Sequence, residues 1–309
     1  MIYLNENPVE FITFPNKEKR LDLPKEFVKF HDTKVVNDIY WKYETDESIF
    51  ELLLVDNAMI SYEQEYNLYI GYMPYSRMDR VKEQGTAFSL EVIVRIINNL
   101  SCVNGIYVLD PHSPITLQEL NRYQLSDNAF EFKYSLAKDV IDYTQIDVNN
   151  AWFVFPDKGA ATRYNADNYP NVIICEKVRN FATGKIESIK ASIEKVTNTP
   201  SENAPIIIID DLCSYGGTFV GAIKAIETDL NIKSSENWLI ITHSETAIDM
   251  GQVSLIFNKI FTTDSIYTPQ GYQYMNVKPF DSSGKVYVRP VLDIIKKEPK
   301  YDRVDFDWI

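Results

Sequence analysis

Two adjacent carboxylates, Asp210 and Asp211, stand just ahead of Ser214, Tyr215, Gly216, Gly217 and Thr218. This order of residue types suits a phosphorylated sugar. A tight turn at the start of a helix exposes unpaired N–H groups, and glycines lacking a Cβ let a phosphate approach them closely. The carboxylates cannot cradle phosphate, but they can hold the vicinal hydroxyls of a ribose whose 5-phosphate rests in the turn. No Lys follows the glycines as a nucleotide P-loop requires, so the turn is not of the Walker type. Elsewhere, Lys177 and Arg179 lie two apart in an extended segment, so both heads can reach one anion. Arg77, Asp79 and Arg80 follow an apolar stretch ending near Pro74, which puts cations at a strand's carboxyl end, where open α/β sheets bind ligands. His112, one of three histidines, sits past a strand beside Asp110 and can serve a metal-bound triphosphate. Asp157 opens a second strand-to-helix turn, through Gly159, Ala160 and Ala161 to Thr162 and Arg163, again able to approach phosphates.

The elements that must position these groups are legible in the spacing of apolar residues. Four successive isoleucines, Ile206 to Ile209, predict a strand buried on both faces that delivers the carboxylates at its end. Phe219, Ile223, Ile226 and Leu230 then recur at a helical period. Further helices are expected over 48–60 and 89–99. Strands are expected over 67–72, 105–109, 151–155, 171–175 and 238–242, and around 259–262 and 273–278. Residues 114–150 are polar with short apolar patches and carry the crossing into a second unit. The stretch from 180 to Pro205 reads as polar. His243, at the end of the 238–242 strand, reads as a core or strand-end residue. The final segment, 286–295, reads as a strand or turn leading into a short helix.

Composition excludes several classes of function. A chain of 309 residues, 45% hydrophobic and 13% aromatic, has material for two packed cores. A net charge of -13, with no basic stripe to offset it, argues against nucleic acid as a partner. Three cysteines (Cys102, Cys175 and Cys213) without metal-ligand spacing fit reduced thiols, and hence a cytoplasmic setting. No stretch approaches the apolar length of a membrane span, so no membrane role is expected.

The stretch Ile-Ile-Ile-Ile-Asp-Asp-Leu-Cys-Ser-Tyr-Gly-Gly-Thr resembles the phosphoribosyl-pyrophosphate motif shared by phosphoribosyltransferases and ribose-phosphate diphosphokinases. Four further segments, in order along the chain, resemble the diphosphokinases in particular. Phe14-Pro15-Asn16-Lys17-Glu18 is similar to the segment that holds the adenine of ATP, in that family from a neighbouring subunit. Pro74-Tyr75-Ser76-Arg77-Met78-Asp79 is similar to a nucleotide-contacting motif. Asp110-Pro111-His112 matches an Asp-Leu-His element, and Pro156-Asp157-Lys158-Gly159-Ala160 a Pro-Asp-x-Gly-Gly element whose Asp serves the Mg²⁺-bound substrates. Lys177 and Arg179 occupy the place of the family's catalytic lid.

The resemblance implies an α/β chain of two phosphoribosyltransferase-type domains, each a mainly parallel sheet flanked by helices. Residues 1–135 would bind ATP, residues 136–282 the sugar phosphate, and residues 283–309 would pack back on the first domain. The implied reaction moves the β,γ-diphosphoryl group of ATP to the anomeric hydroxyl of a 5-phosphorylated ribose and releases AMP. Phe14, Asn16, Glu18, Arg77, Asp79 and His112 would bind ATP. Asp210, Asp211, Ser214, Tyr215, Gly216, Gly217 and Thr218 would bind the sugar phosphate. Lys177 and Arg179 would be catalytic, with His112 and Asp157 at a metal site. Magnesium is the implied cofactor, since hard oxygen ligands and phosphates dominate the site. A homo-oligomer, dimer or higher, with the ATP site at an interface, is implied as well.

Departures from the family bear on the acceptor. Met78 replaces a Gln, Pro111 a Leu and Ala160 a Gly. Ser214 and Tyr215 occupy the places of an Asp and a Thr, which removes a carboxylate near the sugar and puts a large ring where a small hydroxyl caps a monophosphate. The acceptor is therefore either ribose 5-phosphate or ADP-ribose, the substrate ascribed to some viral relatives that make ADP-ribose pyrophosphate for NAD synthesis. A phosphoribosyltransferase without an ATP site and a non-catalytic regulatory homologue are the alternatives.

Overall fold

The computed structural model describes residues 1–30, 36–122, 128–132, 134–179, 186–245, 248, 251–268 and 279–297. In chain order the first half supplies β1 (Ile2–Leu4), β2 (Asn7–Pro8), a small hairpin of β3 (Ile12–Thr13) and β4 (Lys19–Arg20), and β5 (Asn37–Trp41). Then come α1 (Glu47–Ser61), β6 (Tyr66–Ile70), α2 (Ser89–Ile97), β7 (Val103–Leu109), α3 (Ile115–Arg122) and β8 (Ala129–Phe132). Six strands form one sheet in the order β2-β1-β5-β6-β7-β8, with β5 to β8 parallel and β1 antiparallel at the side of β5.

The second half runs α4 (Leu136–Thr144), β9 (Trp152–Phe155), α5 (Lys158–Arg163), β10 (Asn171–Arg179) and β11 (Ile186–Val196). It continues with β12 (Ile206–Cys213), α6 (Gly217–Leu230), β13 (Asn237–Ser244), α7 (Gly251–Ile256), β14 (Lys259–Thr263), β15 (Asp281–Ser283), β16 (Val286–Arg289) and α8 (Val291–Lys297). Its eight-stranded sheet has the order β11-β10-β9-β12-β13-β14-β16-β15. The interior strands are parallel, and β11 and β15 close the two edges in antiparallel pairing. Two mainly parallel sheets flanked by helices are thus present, as the sequence predicted.

The packing explains why these segments form these elements. Along β12 the four isoleucines are all buried, and they alternate between two cores. Ile206 and Ile208 pack on the α6 side with Phe219 and Ile223, while Ile207 and Ile209 pack with Leu136, Ala137 and Val140 of α4. Each such side chain contributes roughly 1.5–3 kcal/mol of burial, which fixes β12 at the centre of its sheet. In α2, Leu90, Ile93, Val94 and Ile97 are buried at helical spacing and close the core beneath β5, β6 and β7 with Leu52, Val55 and Met59 of α1. The opposite face of that sheet carries Tyr3, Tyr40, Tyr69, Leu109 and Phe132, on which Val291 and Ile294 of α8 pack.

Several expectations are corrected in detail. The segment from 180 to Pro205, read as a polar stretch, contains the 11-residue strand β11 at the sheet edge, where Lys190 and Glu194 are exposed. The central strand runs on through both carboxylates to Cys213, and α6 starts two residues early, at Gly217. The expected strand at 273–278 lies outside the described residues. Among the described residues no helix is long and apolar enough to cross a membrane.

Candidate active site

The carboxyl ends of the two parallel sheets face each other, and groups from β6, β7, β9, β12 and β13 meet there. Beyond β7 the backbone of Asp110 turns through the left-handed region, with φ 41°. This conformation is unfavourable for a non-glycine residue and persists only where neighbours hold it. Here the second sheet holds it. The Asp110 carboxylate accepts hydrogen bonds from Tyr164 at 2.7 Å and from the Thr242 hydroxyl. The His243 ring stands 3.1 and 3.0 Å from the Leu109 and Asp110 carbonyl oxygens, with its other nitrogen 2.8 Å from Ser265. Burial lowers the His243 pKa, so the ring serves as a neutral fastener, in keeping with the structural role read from sequence.

Two residues further on, His112 reaches the second sheet. Its Nδ1 lies 2.6 Å from Oδ2 of Asp211, and its carbonyl accepts a hydrogen bond from Arg163. Arg163 Nη1 stands 2.9 Å from the other Asp211 oxygen. Asp211 is only 4% exposed. Burial alone would raise its pKa, but the His112 hydrogen bond and the Arg163 charge outweigh it and hold the carboxyl well below the usual range. The adjacent Asp210 shifts the other way, pushed well up by burial and by the Asp211 charge, with Asp157 adding to the effect. Two neighbouring carboxylates thus have opposite tendencies: Asp211 is a committed anion, and Asp210 is costly to ionise until a partner arrives.

The turn that opens α6 has the backbone its glycines suggest, with one refinement. Gly216 is the N-cap of α6 with φ 73°, and a Cβ there would fall 2.0 Å from Cγ2 of Val253 on α7. Glycine is needed at this position for both reasons. Gly217 differs, because a Cβ on it meets nothing within 4 Å, so its outer side lies open to a ligand. Gly217 and Thr218 therefore belong to the first turn of α6, where free N–H groups favour an anion. Ser214 is half-buried, and the Tyr215 side chain projects into solvent, 89% exposed.

On the neighbouring strands, Asp157 caps α5 by accepting from Ala160 N at 3.0 Å, so Gly159 to Arg163 lie in a helix rather than a loop. Lys177, in regular pairing on β10 opposite Ile189, places its Nζ 3.7 Å from Asp157 Oδ2. Arg179 pairs through its backbone with Ile186; its side chain lies outside the described residues. Arg77 reaches Glu245 across the cleft at 3.8 Å, and the buried Asp79 pairs with Arg80 at 2.8 Å. Phe14, Asn16 and Glu18 sit at the tip of the β3–β4 hairpin, where Asn16 Oδ1 accepts from Glu18 N at 3.2 Å and Phe14 is half-exposed. Lys19 ties the hairpin base to Glu47 and Glu51 of α1.

The two residues expected at a metal site stand on different partners, His112 on Asp211 and Asp157 on Lys177. Among the described residues no group of three or more His, Cys, Asp or Glu side chains is arranged to hold a metal ion. Such a donor set fits magnesium in one respect: Mg²⁺ keeps several waters and takes one or two carboxylates plus substrate phosphates rather than a dedicated protein cage. Asp157, with a side chain 49% exposed, offers such an oxygen.

Arg163, Tyr164 and Thr242 join this cluster, and sequence reasoning assigned none of them a role there. Arg163 gave one signal, a cation at the end of a strand-to-helix turn. Behind them lies a cavity of about 640 Å³, walled by Asp110, Glu131, Tyr134, Arg163, Asp210 and Arg289 among others.

No family model matches the chain. Among curated proteins it is similar to the ribose-phosphate pyrophosphokinase of Pyrococcus abyssi, 26% identical over 267 residues that cover 84% of this chain and 85% of that protein. The ribose-phosphate pyrophosphokinase of Saccharolobus solfataricus is 26% identical over 221 residues, 70% of each chain. Among solved structures, phosphoribosylpyrophosphate synthetase from Mycobacterium smegmatis superposes with a TM-score of 0.63, covering 93% of this chain and 87% of that one at 13% identity. That likeness is one of fold.

Proposed function

We propose, on the premise that this chain is a divergent relative of the ribose-phosphate pyrophosphokinases, that it is a diphosphotransferase acting on ATP and a 5-phosphorylated ribose. The observation that carries the reading is the meeting, at facing sheet ends, of an open glycine turn, the Asp210–Asp211 pair, His112 and the Lys177–Asp157 pair. The anomeric hydroxyl oxygen attacks the β-phosphorus of ATP, the bond from that phosphorus to the α,β-bridging oxygen breaks, AMP departs and the hydroxyl proton is released. A phosphoryl centre asks the protein for alignment and charge neutralisation more than for covalent chemistry.

In this reading the first turn of α6, with Ser214, Gly216, Gly217 and Thr218, holds the 5-phosphate. The Asp210 side of the pair takes the ribose hydroxyls, and a hydroxyl hydrogen bond relieves its unfavourable ionisation. Arg77, Asp79 and His112 hold the nucleotide. Lys177 and Arg179 neutralise the diphosphoryl group in flight. Asp157 and His112 would stand with phosphate oxygens around a magnesium ion, which would supply charge neutralisation when bound.

The hairpin residues Phe14, Asn16 and Glu18 complete the adenine pocket of another copy in a homo-oligomer. Their exposure at a projecting tip, with Ile12 49% exposed beside them, supports this. Mixed oligomers of Asn16→Ala and Lys177→Ala chains are then expected to regain turnover that neither variant has alone, measured as AMP release. Proven subunit mixing without recovery would count against the shared site.

The acceptor is ribose 5-phosphate or ADP-ribose. Tyr215 leaves the phosphate turn uncovered and stands out in solvent, which supports an acceptor with a longer group beyond the 5-phosphate, as in ADP-ribose. With Mg·ATP, ADP-ribose is expected to yield AMP and a product heavier by one diphosphate, at higher kcat/KM than ribose 5-phosphate. Mass analysis of the products decides it: conversion of ribose 5-phosphate alone would make Tyr215 a bystander and the product phosphoribosyl pyrophosphate.

A further inference from the structure

The nucleotide-side and sugar-side groups belong to different sheets, yet three of them form a closed ring. Arg163 donates to the His112 carbonyl and faces Asp211 at 2.9 Å, and Asp211 binds the His112 ring at 2.6 Å. Arg163 sits at the last turn of α5 and is partly buried, with its side chain 23% exposed. Its guanidinium lies 5.9 Å from the centre of the Tyr164 ring, and Tyr164 in turn holds Asp110. The ring therefore stands on a second layer, Asp110 with Thr242 and His243, that pins the end of β7. Neither Asp211 oxygen is left without a cation or an imidazole, so this carboxylate is occupied in tying the sheets together.

We propose that Arg163 is a positioning residue for diphosphoryl transfer. Through His112 and Asp211 it locks the nucleotide half-site to the acceptor half-site, so that the reacting hydroxyl and the β-phosphorus meet in register. Arginine suits this task because one nitrogen of its planar fork donates to the carbonyl while another stands beside the carboxylate as an ion-pair partner without hydrogen-bond geometry, two positions that a lysine point charge does not fill at once. The inference deepens the diphosphotransferase reading and rests on it. Asp211 then acts as a clamp between sheets, and Asp210 is the member of the pair that meets the sugar.

The test compares wild type with Arg163→Ala, Arg163→Lys, His112→Ala and the Arg163→Ala/His112→Ala double variant, each checked for folding by thermal melting. Arg163→Ala is expected to lose about 100-fold in kcat/KM, mainly in kcat, as a misplacement of reacting groups by about 1 Å would cause. Arg163→Lys recovers little of it. If the two residues act as one unit, the double variant is no worse than the poorer single variant, within about threefold. Losses that multiply, or an Arg163→Lys enzyme equal to wild type, overturn the proposal. If wild type converts neither acceptor, the diphosphotransferase reading fails, and the clamp is read from melting alone. Falls in melting temperature that do not add in the double variant support the ring, and additive falls overturn it.

Discussion

Replacing Lys177 with alanine is expected to lower turnover by about 100- to 1,000-fold while ATP affinity changes by less than about threefold. Without substrate, Lys177 is half-buried on β10 with its ammonium 3.7 Å from Asp157, paired through its backbone with Ile189 of β11 and three residues beyond the part of β10 that also pairs with β9. On diphosphoryl transfer, negative charge shifts toward the departing AMP oxygen and the three oxygens in flight, and a pre-placed cation is worth most at that moment. In the proposed site, ground-state ATP would be held by Arg77, Asp79 and His112 instead. Removing the ammonium also leaves Asp157 without its neighbour, which favours a metal ion there and partly offsets any loss in Mg·ATP binding. Turnover of the saturated enzyme, set against ATP affinity from calorimetry, separates the two effects. A variant that binds ATP far more weakly and turns over normally would place Lys177 in binding and remove it from the transfer step.

Why sequence singles out Lys177 and passes over the Arg163 contacts follows from the kind of information each needs. Lys177 and Arg179 declare themselves locally, as two cations at strand spacing near a strand end. The isoleucine run of β12 and the period of Phe219, Ile223, Ile226 and Leu230 are local as well, and the structure places all four of those helix residues on α6. The role of Arg163 depends on His112 and Asp211, which come from different sheets and meet only after both have folded. The same limit hid β11. Its sequence, IESIKASIEKV, has broken alternation, its pairing with β10 carries two irregularities, and Ile193 and Val196 remain 46% and 44% exposed at the sheet edge. Only contact with α6 shows what it covers, since a Cβ on Gly221 would come within 2.6 Å of Ile189. The opposed proton affinities of Asp210 and Asp211 were invisible for a related reason: two identical residues acquire different characters from Arg163 and His112, which lie far away in the chain.

The two glycines of the phosphate turn give the other large effect, and they differ in kind. Gly216→Ala is expected to destabilise the protein by roughly 2–5 kcal/mol: about 1–2 for a Cβ in the left-handed region and about 1–3 for forcing a methyl into a packed site. The second part arises because the new Cβ would lie 2.0 Å from Val253, a residue only 1% exposed on α7. Val253→Ala in the same chain should return the packing part and leave the backbone part, so the two substitutions do not add. Chemical denaturation of the four proteins measures this directly. Gly217→Ala should behave in the opposite sense for stability, because Gly217 is the first residue of the helix, carries no positive φ, and its Cβ meets nothing within 4 Å. A gain of about 0.5–1 kcal/mol is expected from the better helix former. Yet the open side of Gly217 is where an acceptor phosphate would approach the free N–H groups of α6, and a methyl there should raise the acceptor KM by about tenfold. A Gly217→Ala protein that is more stable and binds its acceptor more weakly identifies the turn as the phosphate site. One that is more stable and kinetically unchanged would move the phosphate elsewhere, because stability and acceptor binding make separate demands on this residue.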